Sequence, residues 1–158
     1  MKILEPVFKK VIRQMVESEV CFLLIGGYAV NYYGFGRYTG DIDFWIKPDN
    51  ENKKFLLNAF TKLGRNLDDV TAVGQLDFTK PQVFHIGEEP LRIDFLTKVN
   101  IVNFNDAWDN RKYWPLGNIE VPIVDYNHLI LTKIATDRTK DKLDVEELQK
   151  INQFRKNE

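Results

Sequence analysis

The chain has 158 residues, and its 22 Lys and Arg nearly balance its 23 Asp and Glu, which leaves a net charge of −1. This length suits one hydrophobic core, so residues 1–158 are predicted to form a single domain. The balanced charge excludes a global field that would draw the chain onto nucleic acid or an anionic membrane, so no extended nucleic-acid surface and no membrane partner are expected.

The N-terminal charges and the single cysteine bear on the compartment. Lys2, Glu5 and Lys9 interrupt the first apolar stretch, which argues against a signal peptide, and no apolar run reaches transmembrane length. Cys21 lies in an apolar run and is expected to be a buried strand thiol without a catalytic role. These features predict a cytoplasmic protein.

The first half of the chain alternates between helical and extended patterns. Apolar residues recur at helical spacing behind Pro6, and a continuous apolar run with a glycine pair at its end indicates a strand that is covered on both faces. The predicted elements are a helix over residues 7–16, a strand over 20–25, a short helix over 28–33, a strand over 41–46, and a helix from residue 49 or 50 to Gly64.

Signals in the second half are weaker at first. Residues 65–80 show little periodicity, which predicts a loop that holds no more than a short strand near 75–78. The later elements are strands over 83–86 and 91–96 joined as a hairpin, a strand over 119–124, and helices over 126–137 and 140–154, the last packing through Leu148, Ile151 and Phe154.

Two segments near the start carry the chemistry. Asp41 and Asp43 lie two residues apart on a predicted strand, so their side chains point to the same face. Two like charges at this spacing need a cation, and Mg²⁺ held by carboxylates and substrate phosphates is the usual one. Gly26 and Gly27 precede a short helix, where backbone amides without nearby side chains can bind the phosphates of a nucleotide.

Asp94 repeats the carboxylate pattern on the predicted strand 91–96. If this strand lies beside the strand of Asp41 and Asp43, three carboxylates converge. Such a set can hold two metal ions about 3.5–4 Å apart and stabilise both oxygens of an in-line displacement at phosphorus. The glycines and the acids together predict a nucleoside triphosphate with magnesium.

These residues resemble the signature of the nucleotidyltransferases of the DNA polymerase β superfamily. Gly26 and Gly27 match its glycine pair, and Asp41 and Asp43 follow after thirteen intervening residues. Asp94 matches its third carboxylate. The resemblance implies an α/β (α+β) nucleotidyltransferase fold, with a small mixed sheet of about four to six strands flanked by helices and with C-terminal helices from about residue 126.

The resemblance is strongest to a small bacterial branch that includes abortive-infection (AbiEii-type) nucleotidyltransferases and toxins. Arg37 and Thr39 complete the Arg-x-Thr-x-Asp-Ile-Asp motif of this branch. The C-terminal part also resembles this branch, through Lys133, Arg138, Lys140 and Asp141. Gly27 departs from the pattern, because many members place there a serine whose hydroxyl touches the terminal phosphates.

The resemblance implies a role for each matching residue. Asp41 and Asp43 would hold two Mg²⁺ ions, with Mn²⁺ as a substitute, and Asp94 would ligate the second ion and help to deprotonate an acceptor hydroxyl. The hydroxyl would attack the α-phosphorus of a nucleoside triphosphate such as ATP, and pyrophosphate would leave. The candidate nucleotide-binding residues are Gly26, Gly27, Arg37, Thr39, Lys133 and Arg138.

Simpler roles compete for several of these residues. Arg37 could pair with a nearby carboxylate, Lys133 could be ordinary helix surface, and Asp141 most simply caps the last helix. The aromatic residues between the glycines and the acids suit core packing, with one available to stack on a base. His85 and His128 lack partners at metal-ligand spacing, so no zinc site is predicted.

Three functions remain open at the level of sequence. The first is nucleotidyl transfer to a small molecule, a protein or an RNA end, with a homodimer or a protein partner possible. The second is a non-catalytic, nucleotide-binding regulatory or antitoxin-like subunit. The third is a metal-dependent phosphoesterase, which the glycine pair disfavours because hydrolysis of a phosphodiester needs no triphosphate cradle.

Overall fold

A six-stranded mixed sheet forms the centre of the molecule. The computed structural model describes residues 4–134 and 136–157. In this part of the chain the strands are β1 (Phe22–Ile25), β2 (Ile42–Ile46), β3 (Val83–Ile86), β4 (Ile93–Leu96), β5 (Lys112–Leu116) and β6 (Ile119–Ile123). The helices are α1 (Pro6–Glu17), α2 (Gly26–Tyr32), α3 (Asn50–Lys62), α4 (Leu67–Gly74), α5 (Phe104–Asp109), α6 (Tyr126–Ile134) and α7 (Thr139–Lys156).

The strand order is β3-β4-β2-β1-β6-β5. β2 runs parallel to β4 and antiparallel to β1, while β3 and β4 form the predicted antiparallel hairpin. β1 is parallel to β6, which pairs antiparallel with β5. The two strands with carboxylates, β2 and β4, are therefore direct neighbours in the sheet.

The core covers both faces of the central strands. Every residue of β1 is buried, as the continuous apolar run predicts. α1 contributes Phe8, Ile12 and Met15, which lie one helical turn apart and are fully buried. α3 begins where the Asp49 side chain accepts a hydrogen bond from the backbone N–H of Asn52 at 2.7 Å, which satisfies one of the N–H groups left open at a helix start.

Several predicted elements need correction. Residues 67–74 form α4 rather than a loop, and Asn66 caps this helix by accepting from the N–H of Asp69 at 2.8 Å. α5 and β5 were not predicted. The short helix α2 already begins at Gly26, so the glycine pair opens the helix and does not only end the strand.

Two predicted side-chain environments also differ. Leu148 of α7 is fully buried, but Phe154 is 68% exposed and takes no part in the packing side of that helix. Cys21 is half-buried, lies just before β1, and burial raises the pKa of its thiol to about 11, which makes it a poor nucleophile. No helix in the described residues is long and apolar enough to cross a membrane.

Candidate active site

One cavity of about 620 Å³ contains all of the predicted site residues. It lies where β2 and β4 meet the start of α2 and the junction between α6 and α7. The predicted residues that line it are Gly26, Gly27, Arg37, Thr39, Asp41, Asp43, Asp94, Lys133 and Arg138. The fold thus brings together residues from four separate parts of the chain, while their individual roles stay predictions.

The register of β2 against β4 places four charged side chains in a square. Asp43 is directly beside Asp94, and the backbone N–H of Ile42 donates to the carbonyl of Arg92 at 3.2 Å, which extends the pairing by one step. Asp41 therefore lies beside Arg92, and all four side chains point to the cavity face. The opposite face of both strands packs in the core.

Asp43 is the carboxylate most strongly affected by its surroundings. Burial, the neighbouring charges of Asp94 and Asp41, and a hydrogen bond with Asp94 raise its pKa to about 6, although Lys133 acts in the opposite direction. Gly26 allows the Asp43 carboxyl group to lie against the start of α2. It has a φ of +70°, and a Cβ at this position would lie 2.9 Å from Cγ of Asp43. A side chain at Gly26 and the observed position of Asp43 are incompatible.

Arg92 connects the other carboxylates and was not among the predicted site residues. Its Nε lies 2.9 Å from Asp94 Oδ1, and its NH2 lies 3.2 Å from Asp94 Oδ2 and 3.3 Å from Asp41 Oδ2. Across the described residues, no three Asp, Glu, His or Cys side chains are arranged to hold a metal ion. The three carboxylates are therefore neighbours, as expected, but the guanidinium of Arg92 bridges Asp41 and Asp94.

Two observations nevertheless fit a divalent cation at Asp41, Asp43 and Asp94. Oδ1 of Asp41 is buried and accepts no hydrogen bond, which is costly for a carboxylate oxygen unless a cation meets it. The pKa of Asp43 is raised by burial first and then by the charges of Asp94 and Asp41, and a bound cation would offset both effects. Oxygen ligands of this kind are those that Mg²⁺ and Mn²⁺ prefer.

Thr39 occupies the space beside Gly27. A Cβ on Gly27 would lie 2.7 Å from the Cβ of Thr39, so a serine at position 27 could not coexist with this threonine. The Thr39 side chain is buried at the cavity wall, and its hydroxyl donates to the carbonyl of Asp41 at 3.3 Å. A hydroxyl group is thus present near the glycine pair, although it comes from the loop before β2.

Arg37 forms an ion pair with the last helix. Its Nε and NH2 donate to the two carboxylate oxygens of Asp144 at 2.6 and 2.8 Å, and its NH1 donates to the carbonyl of Tyr38 at 3.0 Å. Asp144 is fully buried. Burial alone would raise its pKa, but hydrogen bonds and charges from Arg37 and Lys133 outweigh this effect and lower the pKa.

Lys133 belongs to the same buried cluster and is not ordinary helix surface. Its Nζ lies 2.9 Å from Asp144 Oδ2 and 3.1 Å from Asp141 Oδ1. Asp141 also accepts from the hydroxyl of Thr136 at 2.8 Å, so it stabilises the turn between α6 and α7 and does not cap α7 with its side chain. Two of the three ammonium donors of Lys133 thus bind carboxylates.

Other cations reach the cavity from exposed positions. The side chain of Arg138 is 72% exposed and lies 3.8 Å from Asp141. Lys98 and Lys140 also line the cavity and are exposed. These three residues can move toward a phosphate without breaking a buried ion pair, whereas Arg37 and Lys133 cannot.

Sequence reasoning missed Arg92 and Asp144, and the sequence holds only part of the signal for each. Arg92 stands two residues before Asp94, as Asp41 stands two residues before Asp43, so the pairing of the two strands aligns Arg92 with Asp41. Asp144 lies four residues before the buried Leu148, on the face of α7 that packs against the protein. A carboxylate on that face requires a buried cation.

The fold and this cavity define the class of protein. Two solved structures with the same fold are similar over nearly the whole chain. The lincosamide antibiotic adenylyltransferase LnuA, solved with lincomycin bound, has 13% identity and a TM-score of 0.55, with 96% of this chain and 99% of that chain covered. TM1012 of Thermotoga maritima, assigned as a nucleotidyltransferase, has 10% identity and a TM-score of 0.50, with 98% and 94% covered.

The sequence itself gives the family. The chain belongs to the family described as "Nucleotidyl transferase of unknown function (DUF2204)", which matches residues 5–158. A search of curated proteins gave no match. Family membership and the shared fold confirm the predicted nucleotidyltransferase fold and class of enzyme, and a nucleoside triphosphate is the substrate that this class implies.

Proposed function

We propose that this protein transfers a nucleoside monophosphate from a nucleoside triphosphate to a hydroxyl acceptor in a magnesium-dependent reaction that releases pyrophosphate. The observation that carries the proposal is the shared cavity in which Asp41, Asp43 and Asp94 face the start of α2 at Gly26 and Gly27. Carboxylates suited to a cation and amides suited to phosphates thereby line one space, with Gly26 against Asp43.

The chemistry requires a proton acceptor and stabilisation of charge. Asp41, Asp43 and Asp94 are the residues that would hold Mg²⁺, which supplies Lewis-acid stabilisation of the attacking and leaving oxygens when bound. The acceptor hydroxyl gives its proton to a carboxylate, for which Asp94 is the candidate. A new oxygen–phosphorus bond forms at the α-phosphorus, and the bond to pyrophosphate breaks with its electron pair on the leaving oxygen.

The phosphates have several candidate partners. The amides at Gly26 and Gly27 and the hydroxyl of Thr39 lie on one wall of the cavity, and Thr39 would replace the serine hydroxyl that Gly27 cannot provide. Arg138 is an exposed cation that also lines the cavity and can form a charge-assisted contact. Arg37 and Lys133 are proposed to act through their positive potential, since both are held by Asp144.

The base has a candidate partner in the cavity lining, and the acceptor has a candidate chemical class. Tyr38 lines the cavity and is 78% exposed, so it is the aromatic residue proposed to stack on a base, whereas Tyr28 is buried. A small molecule is the acceptor that we favour, because the structural neighbour LnuA is a lincosamide antibiotic adenylyltransferase and the net charge of −1 offers no broad basic surface. A protein side chain or an RNA end are the other acceptors.

The experiment combines the purified protein, Mg²⁺ and each labelled nucleoside triphosphate with a cell extract as acceptor source. We expect pyrophosphate release with transfer of label, and loss of both in Asp43→Ala and in excess chelator. Asp109→Ala, at an exposed position on α5, is the matched control and should retain activity. Label transfer that persists in Asp43→Ala would contradict the site assignment.

A second candidate is the non-catalytic nucleotide-binding subunit, which the Arg92 bridge across Asp41 and Asp94 favours. Magnesium-dependent nucleotide binding without turnover would support it. We further propose kinship with the AbiEii-type branch, a toxin–antitoxin context with a protein partner or homodimer, and a cytoplasmic location. These proposals rest on the Arg-x-Thr-x-Asp-Ile-Asp motif and on the amino-acid composition.

A further inference from the structure

We propose that Arg92 is an internal counter-cation of the carboxylate site, which competes with a divalent cation for Asp41 and Asp94. The inference rests on the proposed function, because it concerns the residues assigned there to the metal. Under this proposal, Arg92 sets the metal affinity of the nucleotide-free protein.

The contacts of Arg92 indicate that it competes directly with a cation for the carboxylates. The guanidinium engages Oδ2 of Asp41 and both carboxylate oxygens of Asp94, all within 3.3 Å. A cation that ligates these carboxylates shares them with the guanidinium, and the two positive charges repel each other, so each weakens the binding of the other. Oδ1 of Asp41, which is buried and accepts no hydrogen bond, is the oxygen that the guanidinium leaves over.

The position of Arg92 allows it to leave. Its side chain is 37% exposed, and its NH1 lies 3.4 Å from Oε1 of Glu89, which is 64% exposed. The backbone at residue 92 stays fixed by the hydrogen bond from Ile42, so release requires only rotation of the side chain. Arg37 is different, because its carboxylate partner Asp144 is fully buried and would be left uncompensated.

The test measures binding of Mn²⁺ alone, without nucleotide, by the loss of the free-ion signal in electron paramagnetic resonance. In Arg92→Met we expect the dissociation constant to fall roughly five- to tenfold, because a partly exposed competing ion pair is removed. Arg92→Lys keeps the charge but cannot span three oxygens, so its dissociation constant should fall by about threefold or less. Arg65→Met removes an arginine that pairs with Asp69 elsewhere and should change nothing.

Thermal unfolding provides the second readout. In chelator, Arg92→Met should unfold at a lower temperature than the natural protein, because three adjacent carboxylates then repel one another. Mn²⁺ should reverse this loss. If Arg92 serves only to bind triphosphate, its replacement weakens nucleotide binding and leaves the Mn²⁺ affinity unchanged.

The outcomes separate this inference from the proposed function. Equal and measurable Mn²⁺ affinity in the natural protein and in both folded Arg92 variants overturns the counter-cation role and leaves the metal site standing. Absence of Mn²⁺ binding in all of them overturns the metal site itself, and the inference with it. Tighter binding in Arg92→Met that Asp43→Asn abolishes supports both.

Discussion

Asp43 lies in surroundings that disfavour its charged form. Its carboxyl group is largely buried, and its nearest ionisable neighbours on the sheet are two further carboxylates. In the absence of a cation this arrangement costs folding free energy, because an unfolded chain leaves the same carboxylate in water. A residue that we propose as a metal ligand is thus expected to reduce stability when no cation is bound.

The first prediction concerns the stability of Asp43→Asn in chelator. The folded-state pKa is raised from 3.8 to about 6, so the favourable protonated form is present below pH 4 and is lost as the pH rises through 6. At pH 7.5 the variant should be more stable than the natural protein by roughly 2 kcal/mol, below the limit of about 3 kcal/mol that the pKa difference sets. At pH 4 the two should unfold alike.

Urea unfolding at a series of pH values from 4 to 8 measures this difference. Asp109→Asn provides the control, since it makes the same change at an exposed position on α5 and should leave the free energy of unfolding close to that of the natural protein. An Asp43→Asn variant that is less stable than the natural protein at pH 7.5 in chelator would show that the protein itself compensates the negative charge of Asp43. The carboxylates would then need no cation.

The second prediction concerns the contact between Gly27 and Thr39. Gly27→Ala should lower the free energy of unfolding by about 1–3 kcal/mol, because its Cβ would overlap the side chain of Thr39. In the presence of Thr39→Gly the same substitution should cost much less. Gly36→Ala is the control, because a Cβ there meets no atom within 4 Å. Additive costs in the double variant would refute the steric coupling.

The candidate site could be predicted in part from the sequence because strand geometry is regular. The spacing of Asp41 and Asp43 fixes their common face, and the similar pattern at Asp94 indicates a neighbouring strand. The exact register, which brings Arg92 beside Asp41, depends on hydrogen bonds between strands that no local pattern specifies. Asp144 was missed for a similar reason, since its partner Arg37 is 107 residues away.

At the scale of elements, prediction succeeded where one periodicity dominates. β1 is a continuous apolar strand, β2 is apolar except for Asp43, and α3 has both a capping residue and an apolar face. α4 was missed because it has only eight residues, so Leu67, Val70 and Val73 form too short a run at helical spacing to stand out. β5 contains Pro115 and lies at the sheet edge, where proline is tolerated but obscures the strand pattern.

The third prediction concerns the link between the loop before β2 and helix α7. Arg37→Met leaves the fully buried Asp144 with Lys133 as its cation and should cost about 2–4 kcal/mol. Asp144→Asn added to this variant should restore part of the loss, because the uncompensated charge is removed. Urea unfolding of the single and double variants gives the coupling energy.

Lys150→Met is the control for this link. Its lysine lies on the same helix but forms only exposed pairs with Glu146 and Glu147, and such pairs contribute about 1 kcal/mol or less. A loss in Arg37→Met no larger than in Lys150→Met would mean that Arg37 is not an anchor of the loop. It would then be available as the phosphate contact that the family resemblance implies.

At the scale of the whole molecule, the candidate site joins the two ends of the chain. The glycine pair lies near residue 26, the carboxylates come from the sheet, and Lys133 and Asp144 come from α6 and α7. Ordering this cavity around a ligand therefore stabilises contacts that hold the N-terminal and C-terminal parts together. Residues 1–158 are predicted to unfold as one cooperative unit.

The fourth prediction tests this coupling by calorimetry. Mg²⁺ with a nucleoside triphosphate at a hundred times its dissociation constant should add about 2.7 kcal/mol to the stability of the folded state, which corresponds to an increase of about 5–10 °C in Tm for a chain of this length. The whole transition should shift without splitting, because the residues proposed to contact the ligand come from both parts of the chain. In Asp41→Asn the same mixture should give a much smaller shift, since the neutral amide lacks the negative charge of the carboxylate and offers a cation only one oxygen. Two transitions, of which only one responds to nucleotide, would instead show that the site belongs to one part of the chain and that α6 and α7 take no part in binding.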